Sequence, residues 1–298
     1  MTTTTFVQKG QHKDLSDIVE NISPSATPFQ TVIGRGKAIQ TLVNWTEEEL
    51  AAVGENAAIE GADAGEGADN ILQERSNYTQ IFTKVINLSG TSQSAKLAGN
   101  TQTMAHQVAL RAKELKRDVE FAYVGSGQAA AAGSSAAARK TAGFHAQCDA
   151  ANVIDKAGAA VTEADFNELL IRLHEAGATP DYVMMHPRVR ASLVAVLSDK
   201  SGRIRDLADG TELVNDIVTY TSVVGTVKLV NNLFCKFAAG KGDILAFDSS
   251  MWEEAVLRPY KVEQLAKTGD ADKKMLVVEK ALKNRNWKSA GLIKDVLV

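Results

Sequence analysis

Hydrophobic residues recur most regularly in the segment Thr101–Val124, which contains neither Pro nor Gly. Its apolar side chains return every three or four residues and define one face of a helix. They are Met104, Val108, Ala112, Leu115, Val119 and Ala122. Most charged residues lie off this face, Lys116 and Glu120 have the spacing of an ion pair, and Gly125 is the expected stop. At ~1.5 Å per residue such a helix is about 36 Å long, so we expect a sheet or another chain along its flank.

Two further segments, Lys37–Trp45 and Tyr78–Leu88, have the composition and alternation of strands. The stretch between them, Glu47–Glu74, contains nine carboxylates and four glycines but no Lys or Arg. Such a stretch repels itself and buries little surface. We therefore expect the two strands to form a hairpin whose acidic tip projects into solvent or onto a neighbouring molecule.

The N-terminal residues 1–36 predict an arm rather than a core element. Asp14–Ile22 has the pattern of two helical turns with apolar residues on one side, and the Pro and Gly residues that follow disfavour regular structure. A long unpacked start of a folded protein either is disordered or lies on a neighbour. Apolar residues such as Phe29 favour the second alternative.

The pattern from about Gly143 to residue 250 alternates between strands and helices, which is typical of an α/β layer. Thr162 and Asp165 have the spacing of a capping box before a helix that ends at Gly177. Pro187 is placed to open a second helix. The predicted strands of this region are Tyr182–His186, Ile217–Tyr220, Thr226–Val230 and Ile244–Phe247.

The last segment, Met251–Val298, predicts three strands in succession with a turn at Thr268–Lys274. The strands are Glu254–Ala266, Met275–Lys283 and Asn286–Ile293. A three-stranded meander needs one covered face, and the long helix is the best available cover. We therefore expect the α/β region to be an insertion between the helix and this meander.

Composition narrows the class of protein. Hydrophobic residues at 45% and charged residues at 23% of 298 are ordinary for a soluble chain. A net charge of −3 gives no electrostatic case for nucleic-acid binding. No apolar run approaches the ~20 residues of a membrane span, and the first residues lack the apolar core of a signal peptide. Two cysteines do not indicate a disulfide framework, which fits folding inside a cell.

No motif for catalysis or for cofactor or metal binding stands out. Gly34–Lys37 and Gly240–Gly242 do not match a phosphate-binding loop and are better explained as turns. The five His residues show no H-x-x-x-H spacing, and neither Cys148 nor Cys235 has a C-x-x-C partner. Asp270–Asp272 lacks the continuation of a calcium loop. We therefore expect no enzymatic activity, no cofactor and no metal.

Five local sequences and the order of the predicted parts resemble a known family. The sequences are DLSDIVENISPSATPF at 14–29, SNYTQIFTKVINLSGT at 76–91, KELKRDVEFAYVGS at 113–126, YVMMHPRVRASL at 182–193 and LAKTGDADKKMLVVEKAL at 265–282. The resemblance is to tailed-bacteriophage major capsid proteins of the Hong Kong 97 fold, and it covers nearly the whole chain. Its specificity lies in the order and spacing of these sequences, since none of them is a chemical motif.

The resemblance implies an α+β fold in which an arm and an extended two-stranded loop reach over neighbouring subunits. Its expected parts are the N-terminal arm 1–36, the extended loop 37–90, a peripheral domain from 91–145 and 251–298 with a spine helix at about 101–124, and an axial α/β domain 146–250. The resemblance further implies a structural protein that forms the hexamers and pentamers of an icosahedral shell.

Such a shell encloses phage double-stranded DNA without sequence-specific binding. It is assembled in the bacterial cytoplasm and becomes the virion capsid, with no membrane. Its partners are copies of the same chain, together with portal and decoration proteins. Because the arm starts near residue 14, no cleaved scaffolding segment is expected within this chain, which implies a separate scaffolding protein or none.

Contacts between subunits are expected on the arm, the extended loop, the spine helix and the turn at 267–274. They are Phe29, Trp45, Glu47, Glu48, Glu60, Arg111, Lys116, Arg117, Asp270, Asp272, Lys273 and Lys274. The acidic stretch would pair with spine-helix cations of the next chain, and the turn would meet its counterparts near local three-fold axes. In the alternative interpretation, the charges of the turn only keep it solvated.

Two alternatives to a phage capsid stay open. A shell of the encapsulin type, which forms bacterial nanocompartments, resembles the same fold. An α/β enzyme with an unrecognised site is the second alternative, and the lack of catalytic motifs and the length of chain spent on projecting parts weigh against it.

Overall fold

The computed structural model describes residues 26–94 except 58, 62, 64–66, 68, 69 and 71, residues 104–199, and residues 218–298 except 268. The helices in these ranges are α1 (Pro28–Val32), α2 (Gly90–Ser94), α3 (Met104–Glu120), α4 (Glu163–Glu175) and α5 (Pro187–Asp199). The strands are β1 (Gly34–Lys37), β2 (Leu42–Glu47), β3 (Gln73–Tyr78), β4 (Gln80–Ser89), β5 (Val153–Asp155), β6 (Tyr182–Met185), β7 (Thr219–Ser222), β8 (Gly225–Asn231), β9 (Phe237–Ala238), β10 (Lys241–Phe247), β11 (Trp252–Gln264), β12 (Ala271–Asn284) and β13 (Ala290–Leu297).

The strands form two main sheets and one separate ribbon. A four-stranded sheet has the order β1-β11-β12-β4, and a larger sheet has the order β5-β13-β10-β6-β8-β7 with β9 paired to β10. The ribbon is the antiparallel pair β2–β3. The predicted turns at Asp14–Ile22, residues 101–103 of the predicted spine helix, and Ile217 lie outside the described residues.

Helix α3 covers one face of the four-stranded sheet. Its buried Leu115 and Val119 share a core with Phe82 and Ile86 of β4 and Val278 of β12. The earlier members of the predicted apolar face, which are partly buried, pack against the same core; they are Met104, Val108 and Ala112. The apolar face predicted from the sequence is therefore confirmed.

One charged residue of α3 points into the core. Glu120 is fully buried, and its carboxylate accepts hydrogen bonds from the backbone N–H groups of Phe29 (2.7 Å) and Gln30 (3.1 Å). The side-chain amides of Gln30 (2.9 Å) and Asn232 (2.8 Å) also donate to it. The predicted ion pair between Lys116 and Glu120 is therefore wrong, because the carboxylate turns away from solvent toward α1.

The last part of the predicted arm belongs to the core of its own chain. The ring of Phe29 is fully buried and meets Phe247 and Trp252 edge-on, with centroid distances of 5.2 and 5.8 Å. The next strand, β1, pairs in parallel with β11. The expectation of an arm over 1–36 is therefore wrong for 28–36, and so is Phe29 as an inter-subunit contact. Phe29 is apolar because it lies in the core. The Pro and Gly residues around it disfavoured a regular element in the sequence analysis, so this core position was not predicted.

The predicted hairpin pairs differently from the expectation. β2 pairs with β3, from Leu42 opposite Tyr78 to Glu47 opposite Gln73. β4 pairs instead with β12 along its whole length. The chain leaves the ribbon at Thr79, so Tyr78–Leu88 is not one strand of a hairpin with Lys37–Trp45.

The helices of the α/β region are confirmed. Thr162 and Asp165 form the predicted capping box at the start of α4, and Gly177 follows its end with φ +80°. Pro187 is the first residue of α5. Phe166 and Leu193 are fully buried between these helices and the larger sheet.

The predicted C-terminal meander is wrong. β13 leaves β12 and enters the larger sheet, antiparallel to β10 and parallel to β5. A 3-10 turn at Trp287–Ser289 redirects the chain. Ile293 and Val296 are then buried in the core beneath α4 and α5, so the last strand completes the predicted axial region rather than the sheet on the spine.

Helical structure ends at Gly125 after a π-helical turn, and the chain packs there without room for a side chain. A Cβ on Gly125 would lie 2.2 Å from the backbone oxygen of Phe234 and 2.6 Å from the ring of Phe121. We expect Gly125→Ala to lower the free energy of unfolding by about 1–3 kcal/mol. The control is Gly54→Ala, since a Cβ at Gly54 meets nothing within 4 Å. Equal denaturant unfolding curves for the two variants would contradict this explanation.

The buried Glu120 predicts a pH dependence of stability. Burial raises the pKa of its carboxyl above the ordinary 4.5, against the opposing effect of hydrogen bonds from Gln30, Phe29 and Asn232. The folded chain therefore keeps a proton at higher pH than the unfolded chain, and the contribution of Glu120 to stability falls as pH rises through the folded pKa. We expect the unfolding free energy of the wild type relative to Glu120→Gln to fall across this range, by at most about 1.4 kcal/mol per pH unit. Parallel urea-unfolding results from pH 4.5 upward would refute this.

Candidate inter-subunit surfaces

The ribbon β2–β3 is fixed at its root by a buried asparagine. The side-chain amide of Asn77 donates to the carbonyl oxygen of Leu282 (2.5 Å) and to Thr141 Oγ1 (3.0 Å). The backbone N–H of Ala142 donates in turn to Asn77 Oδ1 (2.7 Å). Asn77 is fully buried, so these bonds tie the end of β3 to β12 and to the loop 126–143.

A cluster of charges holds Thr79, two residues after Asn77. Thr79 Oγ1 donates to Glu279 Oε1 (2.9 Å), and Arg139 Nε donates to the carbonyl oxygen of Thr79 (2.6 Å). Glu279 is buried and pairs with both Arg139 and Arg258, the latter at 2.7 Å. Because breaking a buried, hydrogen-bonded charge cluster is costly, the direction in which the ribbon leaves the sheet is fixed.

The far side of the ribbon is held by the turn between β12 and β13. The Arg75 guanidinium lies 4.4 Å from the ring centroid of Trp287. Glu47 accepts from Arg75 Nε and from the backbone N–H of Trp287, each at 3.3 Å. Lys288 Nζ lies 2.5 Å from Glu49. Two carboxylates of the acidic stretch are thus paired within their own chain.

Two predicted contacts on the ribbon face their own chain. Trp45 is only 9% exposed, and the Lys283 ammonium lies 5.9 Å from its ring centroid. Glu47 is bonded as described above. Trp45 as an inter-subunit contact is wrong, because β2 turns this side chain toward the body of the molecule. Glu47 stays a predicted contact, since its side chain is partly exposed.

The loop beyond the ribbon has large apolar side chains that its own chain does not cover. Leu50 is 84% and Ile59 is 83% exposed, and Val53 is fully exposed. Glu48 and Glu60 are exposed on the same loop and form no ion pair with any residue that the structure describes. A loop that exposes several large apolar side chains is a candidate surface for contact with another protein.

The three predicted contacts on the spine helix differ in the partners that they have within their own chain. Arg111 pairs with Glu114 of the same helix at 2.6 Å, which satisfies its charge. Lys116 is exposed and has no ion pair among the described residues. Arg117 lies over the ring of Phe234, with 5.6 Å to the centroid.

The turn between β11 and β12 overlaps the predicted turn Thr268–Lys274 only in part, because β11 ends at Gln264 and β12 already begins at Ala271. Hydrogen bonds from the Gln93 amide (3.2 Å) and the Lys267 ammonium lower the pKa of the Asp272 carboxyl. This carboxylate therefore has partners in its own chain. Of the other predicted contacts, Asp270 lies in the turn, and Lys273 and Lys274 lie in the first part of β12.

The described residues contain neither of two other kinds of site. Within them, no group of three or more His, Cys, Asp or Glu side chains is placed to hold a metal ion. No helix of that part of the chain is both long and apolar enough to cross a membrane.

Comparison with known sequences identifies the family. The chain matches the SU10 major capsid protein family over residues 1–297. The major capsid protein of Escherichia phage Phieco32 is 28% identical to this chain over an alignment 340 residues long. The alignment covers 97% of this chain and 95% of that protein.

Comparison with solved structures identifies the fold. The capsid protein of the native GTA particle has a TM-score of 0.68 at 14% identity, covering 98% of this chain and 96% of that one. The SrpI encapsulin of Synechococcus elongatus has a TM-score of 0.65 at 13% identity, covering 97% of this chain and 93% of that one. These similarities show an α+β fold of the Hong Kong 97 type.

The family match, the phage relative and the shared fold agree with the surfaces described above, which one copy alone leaves uncovered. The chain therefore belongs to the SU10 major capsid protein family and is a phage major capsid protein, copies of which form the capsid of the virion.

Proposed function

We propose that the subunits form hexamers and pentamers of an icosahedral shell, in which the loop after β2 covers an adjacent subunit. The observation that carries this proposal is the exposure of Leu50, Val53 and Ile59 on a ribbon whose root is fixed. A neighbour that covers these side chains removes apolar surface from water. Repeated in one direction around an axis, such a head-to-tail contact closes into a ring.

The electrostatics of the loop are in keeping with the same contact. Glu48 and Glu60 lie beside the apolar residues and have no charged partner among the described residues. Lys116 on the spine helix of the next subunit is the partner that we assign to them. The partly exposed charges at 270–274 pair between chains in this arrangement.

The shell encloses double-stranded DNA without gripping it. A net charge of −3 gives the chain no electrostatic case for nucleic-acid binding, and a wall of this kind lets DNA be packed and released. The subunit is structural rather than catalytic, and it assembles in the bacterial cytoplasm. Portal and decoration proteins, and a scaffolding protein if one is used, are separate chains.

Each of the two main sheets belongs to one domain of the subunit. The four-stranded sheet and α3 form the peripheral domain, which is drawn mainly from 91–145 and 251–289, with β1 and β4 added because they lie in the same sheet. The axial domain is built from 146–250, and β13 is added to it because that strand lies in the larger sheet. The extended loop is the ribbon and its acidic connection within 37–90.

The encapsulin alternative has one observation in its favour, which is the fold shared with SrpI. At 13% identity that similarity concerns the fold alone. The SU10 family match favours the phage capsid.

Shortening the loop tests the proposal. Glu47 and Gln73 are the last facing pair of the ribbon, so residues 48–72 can be replaced by Asn-Gly, which closes a two-residue hairpin. We expect this variant to fold with a thermal midpoint close to that of the wild type and to form no closed shells by negative-stain electron microscopy.

A second variant keeps the length of the loop. Val53→Glu with Ile59→Glu is expected to abolish shells, because charges replace the apolar contact. Ala136→Glu is the control, since it adds a charge to an exposed loop elsewhere, and it is expected to assemble. Normal shells from the shortened loop would exclude the loop as the essential contact.

A further inference from the structure

The end of the spine helix has an apolar and basic surface that the described residues leave uncovered. Phe121 is 52% and Leu233 is 50% exposed. Phe234 follows Leu233 in the chain, and its ring centroid is 5.6 Å from the Arg117 guanidinium carbon. Lys113, one helical turn before Arg117, is exposed. We call these five residues the spine-end surface.

Arg117 also lacks a partner that its position requires. Its Nε is buried and has no hydrogen-bond acceptor among the described residues. A buried, unpaired donor of a charged group costs free energy of roughly 1–3 kcal/mol or more. The spine-end surface therefore calls for an occupant that brings a carboxylate together with apolar side chains.

The described chain starts beside this surface. The backbone N–H of Phe29 donates to Glu120, the residue before Phe121, and the Asn232 amide, next to Leu233, donates to the same carboxylate. The segment Ser23–Thr27 contains five residues and leads directly into this point. Fully extended, it spans at most about 17 Å.

The sequence before that connection complements the surface. Asp14–Ile22 has three carboxylates and no Lys or Arg, with apolar residues Leu15, Ile18, Val19 and Ile22 between them. We propose that residues 14–22, which lie outside the described part, cover the spine-end surface of their own chain and bring a carboxylate to Arg117.

A competing occupant is the acidic loop of a second copy, which is also apolar and anionic. The short connection favours residues 14–22, because a tether of a few residues gives an effective concentration in the millimolar range. The position of the cations supports the same assignment. Arg117 and Phe121 are four residues apart on one side of the helix, whereas Lys116 points about 100° away.

A disulfide trap in the full-length chain tests the proposal. Ile18→Cys with Phe121→Cys is oxidised and run on a denaturing, non-reducing gel, with tryptic mass spectrometry to identify the linked peptides. Among the native cysteines, Cys235 is buried and Cys148 is partly buried, and the identification of the linked peptides distinguishes a disulfide to either of them from the designed one. We expect a disulfide within one monomer. Covalent dimers, or a yield no higher than in the control, would overturn the proposal.

The control for this trap is Ile18→Cys with Val223→Cys, which offers a highly exposed position (93%) in the β7–β8 turn. Charge reversal supplies an independent measurement. Arg117→Glu is expected to lower the rate of disulfide formation about fivefold, as loss of one partly exposed ion pair predicts, and Asp17→Arg is expected to restore it. Arg111→Glu is the matched control, since Arg111 pairs within its own helix. An equal fall in both single variants would overturn the assignment of Arg117.

Discussion

The buried carboxylate of Glu120 is the point on which the arrangement of the subunit depends. Removing an ionised carboxylate from water is expensive unless it is hydrogen-bonded, and here four donors surround it. Two of them are the free N–H groups at the start of α1, where Thr27 provides no side-chain cap. A negative charge is most favourable at that end of a helix. Glu120 thereby joins α1, the spine helix and the turn after β8.

A second buried pair extends this network into the four-stranded sheet. Lys280 Nζ lies 2.6 Å from Glu254 and donates to Gln30 Oε1 at 3.2 Å. Gln30 therefore bonds to both networks, one through each end of its amide. Buried ion pairs contribute little net stability, but loss of one partner costs about 3–5 kcal/mol. Such groups permit one packing of α1 between helix and sheet and penalise the others.

Local sequence patterns correctly predicted those parts of the fold that depend only on residues close together in the sequence. The capping box at Thr162 and the apolar face of α3 each require only a few residues of context. The sequence could not show that β13 joins the larger sheet, because a buried strand has the same pattern in either sheet. It could not distinguish Phe29 as a core residue from Phe29 as a contact with a neighbour. Glu120 was missed because nothing in its spacing separates a buried carboxylate from an exposed one at the edge of an apolar face.

The composition of the sequence predicted which segment projects, but it did not predict which individual residues hold that segment in place. The acidic, Gly-rich stretch indicated a projecting loop, and the exposure of Leu50 and Ile59 agrees with that prediction. The sequence did not reveal that Asn77 and Glu279 hold the root of the ribbon, since each has its partners far along the chain. This combination of a rigid root and an uncovered tip has a geometric consequence. Head-to-tail contacts close into a ring only if each subunit sets the same angle to the next, and bonds within the subunit must therefore fix the direction of the ribbon before any neighbour is met.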